Sequence, residues 1–233
     1  DCLLSRGLGD VYKRQILARW QMLADGAWLT VQLASITTLT GFLIGTLCAV
    51  ARRSDVRWLS SLAGFYVELI RNTPFLVQIF IVYFGLSSLG FSFSAVTVAI
   101  IALTINVAAY TAEIMRAGFD SIQKGQWEAA ETLGLNRLQQ YWHVALRPAM
   151  ERVYPSLTSQ FILLMLASSV TSQISTEELT AAANYIQSET YRPFETYIVI
   201  AIIYVALSLA MRLAFHLAAL ALFPRRRRLG TNL

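Results

Sequence analysis

The chain has 233 residues, of which 56% are hydrophobic and only 14% are charged, with a formal net charge of +5. Soluble domains of this size carry about 25% charged residues, so the deficit indicates a protein that folds in lipid. The basic residues lie between long apolar segments rather than in one patch, so nucleic acid is not an expected partner. Cys48 lies inside an apolar segment, and we expect no disulfide framework.

The first residues, 1–15, fit neither a signal peptide nor a membrane span, because they lack an adequate apolar core. They begin without a methionine and look like translated cloning or adaptor sequence, although a disordered native leader would read similarly. We therefore expect a single transmembrane domain over residues 16–233, preceded by a non-native or disordered leader.

Five segments are long and apolar enough to be predicted as membrane-spanning helices. In chain order they are Trp28–Ala51, Trp58–Leu86, Ser94–Glu113, Pro155–Ile174 and Phe194–Leu213. The first contains Gly41 and Gly45, a spacing that favours close packing against another helix. The sequence thus predicts an all-α integral membrane protein with five transmembrane helices.

The second predicted span is interrupted by the sequence Arg71-Asn72-Thr73-Pro74. A charge within a span costs about 2.5–3.5 kcal/mol on insertion scales, so Arg71 needs an anionic partner. Pro74 disfavours helix at Thr73, which could then cap a half-helix beginning at Pro74. The freed N–H groups would face an anion such as a substrate carboxylate. Pairing of Arg71 with Glu68, one turn earlier, explains the charge equally well.

Other polar residues of the spans are candidates for a substrate pathway together with Arg71. They are Asn72 and Thr73 in span two, Asn106 and Tyr110 in span three, and Gln160 and Ser169 in span four. Each of them can instead make an ordinary hydrogen bond between helices.

The connection over residues 114–154 is far longer than an antiparallel pair of spans requires. Residues Trp127–Thr132 favour helix, Gly134 can supply a left-handed residue, and Asn136 can cap a second helix over Arg137–Leu146. We expect two short helices joined by a tight turn. This hairpin either docks a soluble partner or packs only on its own spans.

The distribution of Lys and Arg predicts the orientation of the chain. Basic residues fill the connections after spans one and three and the C-terminal tail, whereas the alternate side carries only Arg19 and Arg192 outside the leader. The N-terminus is therefore expected outside and the C-terminus in the cytoplasm, where Arg225–Arg228 would contact anionic membrane lipid. On the outer side, Glu177–Glu189 forms an acidic, helical connection that meets a partner, gates the pathway or is a structural turn.

Three segments carry a resemblance to a known family. They are VELIRNTPFLVQIFIVYFGL (67–86), AAYTAEIMRAGFDSIQKGQWEAAETLGL (108–135) and EELTAAANYIQSETYRPFETY (177–197). In order and spacing they are similar to the polar amino-acid permeases of ATP-driven (ABC-type) importers, and the resemblance covers residues 16–222. Glu128-Ala129-Ala130, with Gly134 four residues after Ala130, resembles the EAA loop of these permeases. In that family the EAA loop docks a coupling helix on the ATPase. The resemblance thus implies that Glu128, Ala129, Ala130 and Gly134 couple the chain to an ATPase.

The sequence departs from the family in three places. The proline of the EAA region comes one place late, in Leu146-Arg147-Pro148. Leu166-Ala167 replaces a common Lys-Asp pair, and Ser175 stands where the family has glycine. The last two departures concern a span expected to line the pathway, so they bear on the identity of the substrate.

The resemblance implies a transport subunit in a prokaryotic inner membrane rather than an enzyme, and it needs no cofactor or metal. The sequence has no phosphate-binding G-x-x-x-x-G-K-[ST] loop, so ATP hydrolysis is expected on a separate chain. The implied partners are two ATPase subunits, a solute-binding protein, an amino-acid substrate and a second permease chain, identical or different. The alternative is a subunit of an ion-coupled secondary transporter or channel, which would carry ionisable residues on several spans.

Overall fold

The computed structural model describes residues 19–223, and every regular element within that range is helical. In chain order the helices are α1 (Trp20–Arg52), α2 (Arg57–Arg71), α3 (Phe75–Ser88), α4 (Ala95–Asp120), α5 (Lys124–Thr132), α6 (Arg137–Gln139), α7 (Leu146–Ala167), α8 (Leu179–Thr190) and α9 (Pro193–Leu222). A π-helical turn over Gln140–Ala145 joins α6 to α7, and a 3-10 segment over Ser168–Ile174 follows α7. The predicted leader and the Arg225–Arg228 anchor lie outside the described residues.

Within residues 19–223, four helical segments are long and apolar enough to cross a membrane: α1, α4, the continuous segment Arg137–Ile174, and α9. Helices α2 and α3 would together form a fifth span, but their axes bend by 112° at the break between them. The predicted all-α membrane architecture is confirmed, and the second span is sharply bent where the sequence predicted an interruption.

Several predicted spans are shorter than the helices that contain them. Helix α1 begins at Trp20 instead of Trp28, and α4 continues to Asp120 instead of ending at Glu113. Arginine side chains pair with the Glu113 carboxylate, so α4 continues past this charged residue.

The centre of the fold is the contact between α1 and α4. A Cβ atom added at Gly45 would lie 2.6 Å from Thr111 Cβ and 2.7 Å from the Ala108 carbonyl oxygen, so the two backbones approach as closely as glycine allows. At Gly41 an added Cβ would overlap the Val107 side chain. The close packing predicted from these two glycines is confirmed.

The long connection differs from the expected pair of short helices. Its first helix is α5, as predicted, but residues from Arg137 to Leu146 do not form a separate second helix. They continue through the π-helical turn into α7, because neither glycine nor proline occurs between Arg137 and Arg147 to end the helix.

Ser175 ends the 3-10 segment in the left-handed region, with φ 63° and ψ 30°. This is the position where the resembling family has glycine, and the strain on a residue with a Cβ is about 1 kcal/mol. We expect Ser175→Gly to raise the melting temperature of the purified protein by about 2–4 °C. Ser172→Gly, in the same segment, should lower it, and an unchanged melting temperature for Ser175→Gly would contradict the assigned backbone strain.

Candidate coupling and translocation sites

Helix α5 presents the predicted coupling residues on two sides. Glu128 and Ala129 are exposed, whereas Ala130 is buried against the rest of the chain. The exposed side of α5 is therefore available to a partner, while Ala130 fixes the helix to the membrane domain.

Gly134 ends α5 in the left-handed conformation, with φ 75°. Its N–H donates to the Glu131 carbonyl at 2.9 Å, and the Leu135 N–H donates to the Ala130 carbonyl at 3.1 Å. These two bonds form a Schellman motif, which satisfies the last carbonyls of the helix. The left-handed glycine predicted here is confirmed.

The turn after Gly134 is held by side-chain hydrogen bonds. Asn136 Oδ1 accepts from the Gln139 N–H at 2.9 Å, and Gln139 Oε1 accepts from the Asn136 N–H at 2.9 Å, which is a capping box. The buried Gln140 donates from Nε2 to the Leu135 carbonyl at 2.8 Å. The predicted cap at Asn136 is confirmed, and the turn has a fixed shape.

The surface around this turn is unusually apolar for a connection outside the spanning helices. Leu133, Leu138 and Trp142 are all more than two-thirds exposed. Beside them an open groove of about 540 Å³ runs between α5 and the start of α7. Its lining includes Gln126, Ala129, Leu133, His143, Arg147 and Glu151. Exposed apolar side chains beside a polar-rimmed groove are typical of a protein docking surface.

The second site is the break between α2 and α3. Pro74 is the N-cap of α3 in an extended conformation, and α3 begins at Phe75 rather than at Pro74 as predicted. Thr73 does not cap α3, because its hydroxyl donates back to the Leu69 carbonyl at 2.9 Å. The predicted cap at Thr73 is therefore wrong: the hydroxyl completes the end of α2 instead.

Gln78 holds the break together. Its Nε2 donates to the Ile70 carbonyl at 2.7 Å, to the Thr73 carbonyl at 3.0 Å and to Thr73 Oγ1 at 2.9 Å. Its Oε1 accepts from Asn106 Nδ2 on α4 at 2.8 Å. The buried Gln78 side chain thus closes the end of α2 and ties it to α4, and the predicted pathway residue Asn106 is part of this bond network.

We expect Gln78→Leu to lower the free energy of unfolding by about 2 kcal/mol or more. The substitution leaves two carbonyl groups and the Asn106 amide without their partner in a place that water reaches poorly. Thermal unfolding of the purified protein checks this, with Gln32→Leu at an exposed position of α1 as the matched control. Equal stability of the two variants would contradict the role of Gln78.

Of the two alternatives left open for Arg71, pairing with Glu68 is not the one that the structure has. Arg71 Nη1 lies 3.9 Å from Glu113 Oε2 on α4, and the Arg71 guanidinium carbon lies 5.8 Å from the centre of the Tyr110 ring. Glu68 instead accepts from Asn72 Nδ2 at 3.2 Å. The end of α2 thus directs Arg71 towards α4 rather than along its own helix.

Glu113 is shared by several arginines. Arg52 on α1 and Arg116 on α4 both form ion pairs with it, and Arg116 also pairs with Asp120 at 2.6 Å. Glu113 lies about 10 Å before the end of α4 at Asp120. Arg71 therefore approaches the same carboxylate as Arg52 at the end of α1.

Over residues 41–228 the chain matches the family described as binding-protein-dependent transport system inner membrane component. The chain belongs to this family. It is 36% identical to an octopine transport system permease protein of Rhizobium radiobacter, over 89% of this chain and 90% of that protein. A probable glutamine ABC transporter permease of Bacillus subtilis is also 36% identical, over 82% and 89% of the two chains.

Solved structures agree with this assignment. A crystal structure of an amino acid ABC transporter with histidines contains a chain that is 35% identical, with a TM-score of 0.78 over 86% of this chain and 94% of that one. The MetNI methionine ABC transporter, at 20% identity and a TM-score of 0.71, shares the fold. This chain is thus an inner-membrane transport subunit, and family membership implies a separate ATPase and a solute-binding protein as partners.

The permease brings together only part of the predicted pathway. Arg71, Thr73, Asn106 and Tyr110 meet around the break, and Asn72 borders it. Ser169 donates to the Leu166 carbonyl at 2.7 Å within its own segment, and Gln160 is half-buried on α7. Among the hydrogen bonds and ion pairs of residues 19–223, none joins these last two to the break.

The helical connection predicted before the last span is α8. Glu178 is fully buried at its N-cap, where it accepts from the Thr180 N–H at 2.9 Å, the Ala181 N–H at 3.1 Å and the Tyr204 hydroxyl at 2.8 Å. Burial raises the pKa of the Glu178 carboxyl, and these hydrogen bonds oppose the rise. Glu178 therefore holds α8 to α9 rather than meeting a partner, whereas the neighbouring Glu177 is exposed.

Proposed function

We propose that this permease imports amino acids, and that the binding-protein-dependent system to which it belongs draws its energy from ATP. The observation that carries the proposal is the 35% identity, with a TM-score of 0.78, to the membrane chain of an amino acid ABC transporter. The names of its relatives, which include octopine, nopaline and probable glutamine permeases, support the same class of substrate.

The test separates ATP-driven import from ion-coupled transport. Cells that express the complete system should lose uptake of radiolabelled amino acids when ATP is depleted by arsenate. They should keep uptake when an uncoupler dissipates the proton gradient while ATP is maintained. The opposite result would favour a secondary transporter and contradict the proposal.

The proposed ATPase contact is the surface formed by α5 and the following turn. Glu128 and Ala129 lie on its exposed side, Ala130 anchors it, and Gly134 sets the direction of the chain after it. The exposed Leu133, Leu138 and Trp142 surround the same turn. A rigid helical projection with apolar edges suits insertion into a groove on a soluble subunit.

The proposed topology places the N-terminus outside and the C-terminus in the cytoplasm. Arg52, Arg53 and Arg116 lie at the same end of the spans as α5, which supports a cytoplasmic position for that end. The permease is proposed to function as a dimer with an identical or different permease chain. Helix α9 is largely exposed along its length, so lipid or a second chain covers it.

The proposed site for the substrate carboxylate is Arg71, with Asn72, Thr73, Asn106 and Tyr110 around it, and Gln160 and Ser169 further along the pathway. The local charge supports this role. Four guanidinium groups, from Arg52, Arg53, Arg71 and Arg116, share the two carboxylates of Glu113 and Asp120. Arg71, at 3.9 Å, has the longest of these ion pairs, so a bound carboxylate completes its coordination.

Arg71→Gln should therefore leave the fold intact, because Arg52 and Arg116 still neutralise Glu113. It should raise the KM for amino-acid uptake at least about tenfold and remove discrimination against amino-acid amides, which lack the carboxylate. Arg57→Gln is the matched control, because Arg57 is exposed at the start of α2 and takes part in none of the ion pairs found within residues 19–223. An unchanged KM with normal discrimination in Arg71→Gln would remove Arg71 from the site.

A further inference from the structure

Arg53, the C-cap residue of α1, contacts three separate elements on the cytoplasmic side. Its Nε donates to the Tyr141 hydroxyl in the π-helical turn at 3.1 Å, and its guanidinium carbon lies 5.6 Å from the centre of the Trp127 ring on α5. Its Nη1 forms an ion pair with Asp120 at the end of α4. One side chain thus links α1, α4, α5 and the start of the α7 segment.

The contacts of Arg53 belong to a packed cluster rather than to a loose surface. The Tyr141 ring meets the Trp127 ring edge-on, with centroids 5.1 Å apart, and the Phe119 ring of α4 in the same way at 5.2 Å. The guanidinium of Arg53 lies over this aromatic group, and its side chain is about one-quarter exposed. Helix α5 therefore cannot shift relative to α4 without displacing Arg53.

The preceding residue, Arg52, faces the other site. Consecutive side chains on a helix point about 100° apart, and Arg52 reaches Glu113, the same carboxylate that Arg71 approaches at the break. The end of α1 thus contacts α5 through Arg53, and through Arg52 it contacts the Glu113 carboxylate that Arg71 approaches at the break. These two contacts lie on adjacent residues of one rigid helix end.

We propose that Arg53 is a positioning residue that transmits displacement of α5 to Arg71 at the break. When an ATPase subunit moves α5, Trp127 and Tyr141 carry Arg53 with them. Arg52 then shifts Glu113 and alters the charge that faces Arg71. This inference rests on the proposed function, because it assumes that the ATPase docks on α5 and that Arg71 lies on the substrate pathway.

The test measures coupling rather than folding. The purified complex with its ATPase and binding protein is placed in proteoliposomes, and the ratio of imported amino acid to hydrolysed ATP is determined with a radiolabelled mixture of the common L-amino acids. Arg53→Gln should lower this ratio about fivefold or more. Arg57→Gln is the matched control, since Arg57 is exposed and takes part in none of the ion pairs found within residues 19–223, and it should keep the ratio.

Two milder variants decide the question even if Arg53→Gln does not assemble. Arg53→Lys keeps the charge beside Asp120 but loses the planar group that stacks on Trp127 and bonds Tyr141, so its ratio should fall partway. Tyr141→Phe removes only the hydroxyl, so its ratio of imported amino acid to hydrolysed ATP should fall less. Wild-type ratios in both variants, or in an assembled Arg53→Gln complex, would overturn the inference. Absence of ATP-driven import in the unmodified complex would instead contradict the proposed function.

Discussion

Gly45→Leu is expected to prevent the permease from folding to a stable, monodisperse protein. A Cβ atom at this position would lie 2.6 Å from Thr111 Cβ and 2.7 Å from the Ala108 carbonyl oxygen, and the second atom belongs to the backbone of α4. The two helices would have to separate along the centre of the fold. Overpacking of this severity costs about 3 kcal/mol or more.

The measurement is size-exclusion chromatography with thermal unfolding of the detergent-solubilised protein. Gly85→Leu is the matched control, because a Cβ atom added at Gly85 in α3 meets nothing within 4 Å. Gly45→Ala should be destabilised to an intermediate degree, since it adds only the first overlapping atom. Equal stability of Gly45→Leu and Gly85→Leu would contradict the close approach of α1 and α4.

Gly134→Trp is expected to abolish transport while the amount of protein in the membrane stays unchanged. Gly134 has φ 75°, a conformation that costs a residue with a Cβ about 1–2 kcal/mol, and the Schellman motif depends on it. The turn would therefore adopt another path, and α5 would present its exposed side in the wrong direction. Insertion does not suffer, because the turn lies outside the spanning helices.

Two further variants separate the effect of backbone conformation from that of bulk. Gly134→Ala adds strain without a large side chain, so it should reduce uptake partly. Gly125→Ala, in the first turn of α5 where an added Cβ meets nothing within 4 Å, should keep uptake at the wild-type level. Full uptake by Gly134→Trp would show that this turn does not couple the permease to its ATPase.

The features that the sequence predicted correctly depend on local chemistry. Apolar length indicates a membrane span, a glycine after a helix indicates a left-handed residue, and asparagine before a helix indicates a cap. For that reason the spans, Gly134 and Asn136 were found, and so were the small residues Gly41 and Gly45 at the α1–α4 contact. Each signal lies within a few residues of the structure that it specifies.

The features that were missed depend on contacts between distant residues. Gln78 bonds Asn106, 28 positions away; Arg52 pairs with Glu113, 61 positions away; and Arg53 bonds Tyr141, 88 positions away. No spacing rule relates such residues. A polar residue in an apolar segment, such as Gln78, indicates that a hydrogen-bond partner exists. It does not indicate which residue that partner is.

Arg71 illustrates why a near neighbour in the sequence need not be the partner. Glu68 is one helical turn away, which makes it the obvious candidate in a straight helix. At the end of α2, just before the 112° bend into α3, Arg71 instead meets Glu113 and Tyr110 of α4. Pro74 indicated a break, but neither its angle nor the helix that Arg71 would then face follows from the residues beside it.

The most direct test of the account is transport by the reconstituted system. The permease, its ATPase and its binding protein are placed in proteoliposomes with ATP on the side of α5, and accumulation of radiolabelled amino acids is followed. We predict accumulation that requires ATP, the ATPase and the binding protein together, and that is absent with Gly134→Trp. Accumulation driven by a proton or sodium gradient without ATP would contradict the account.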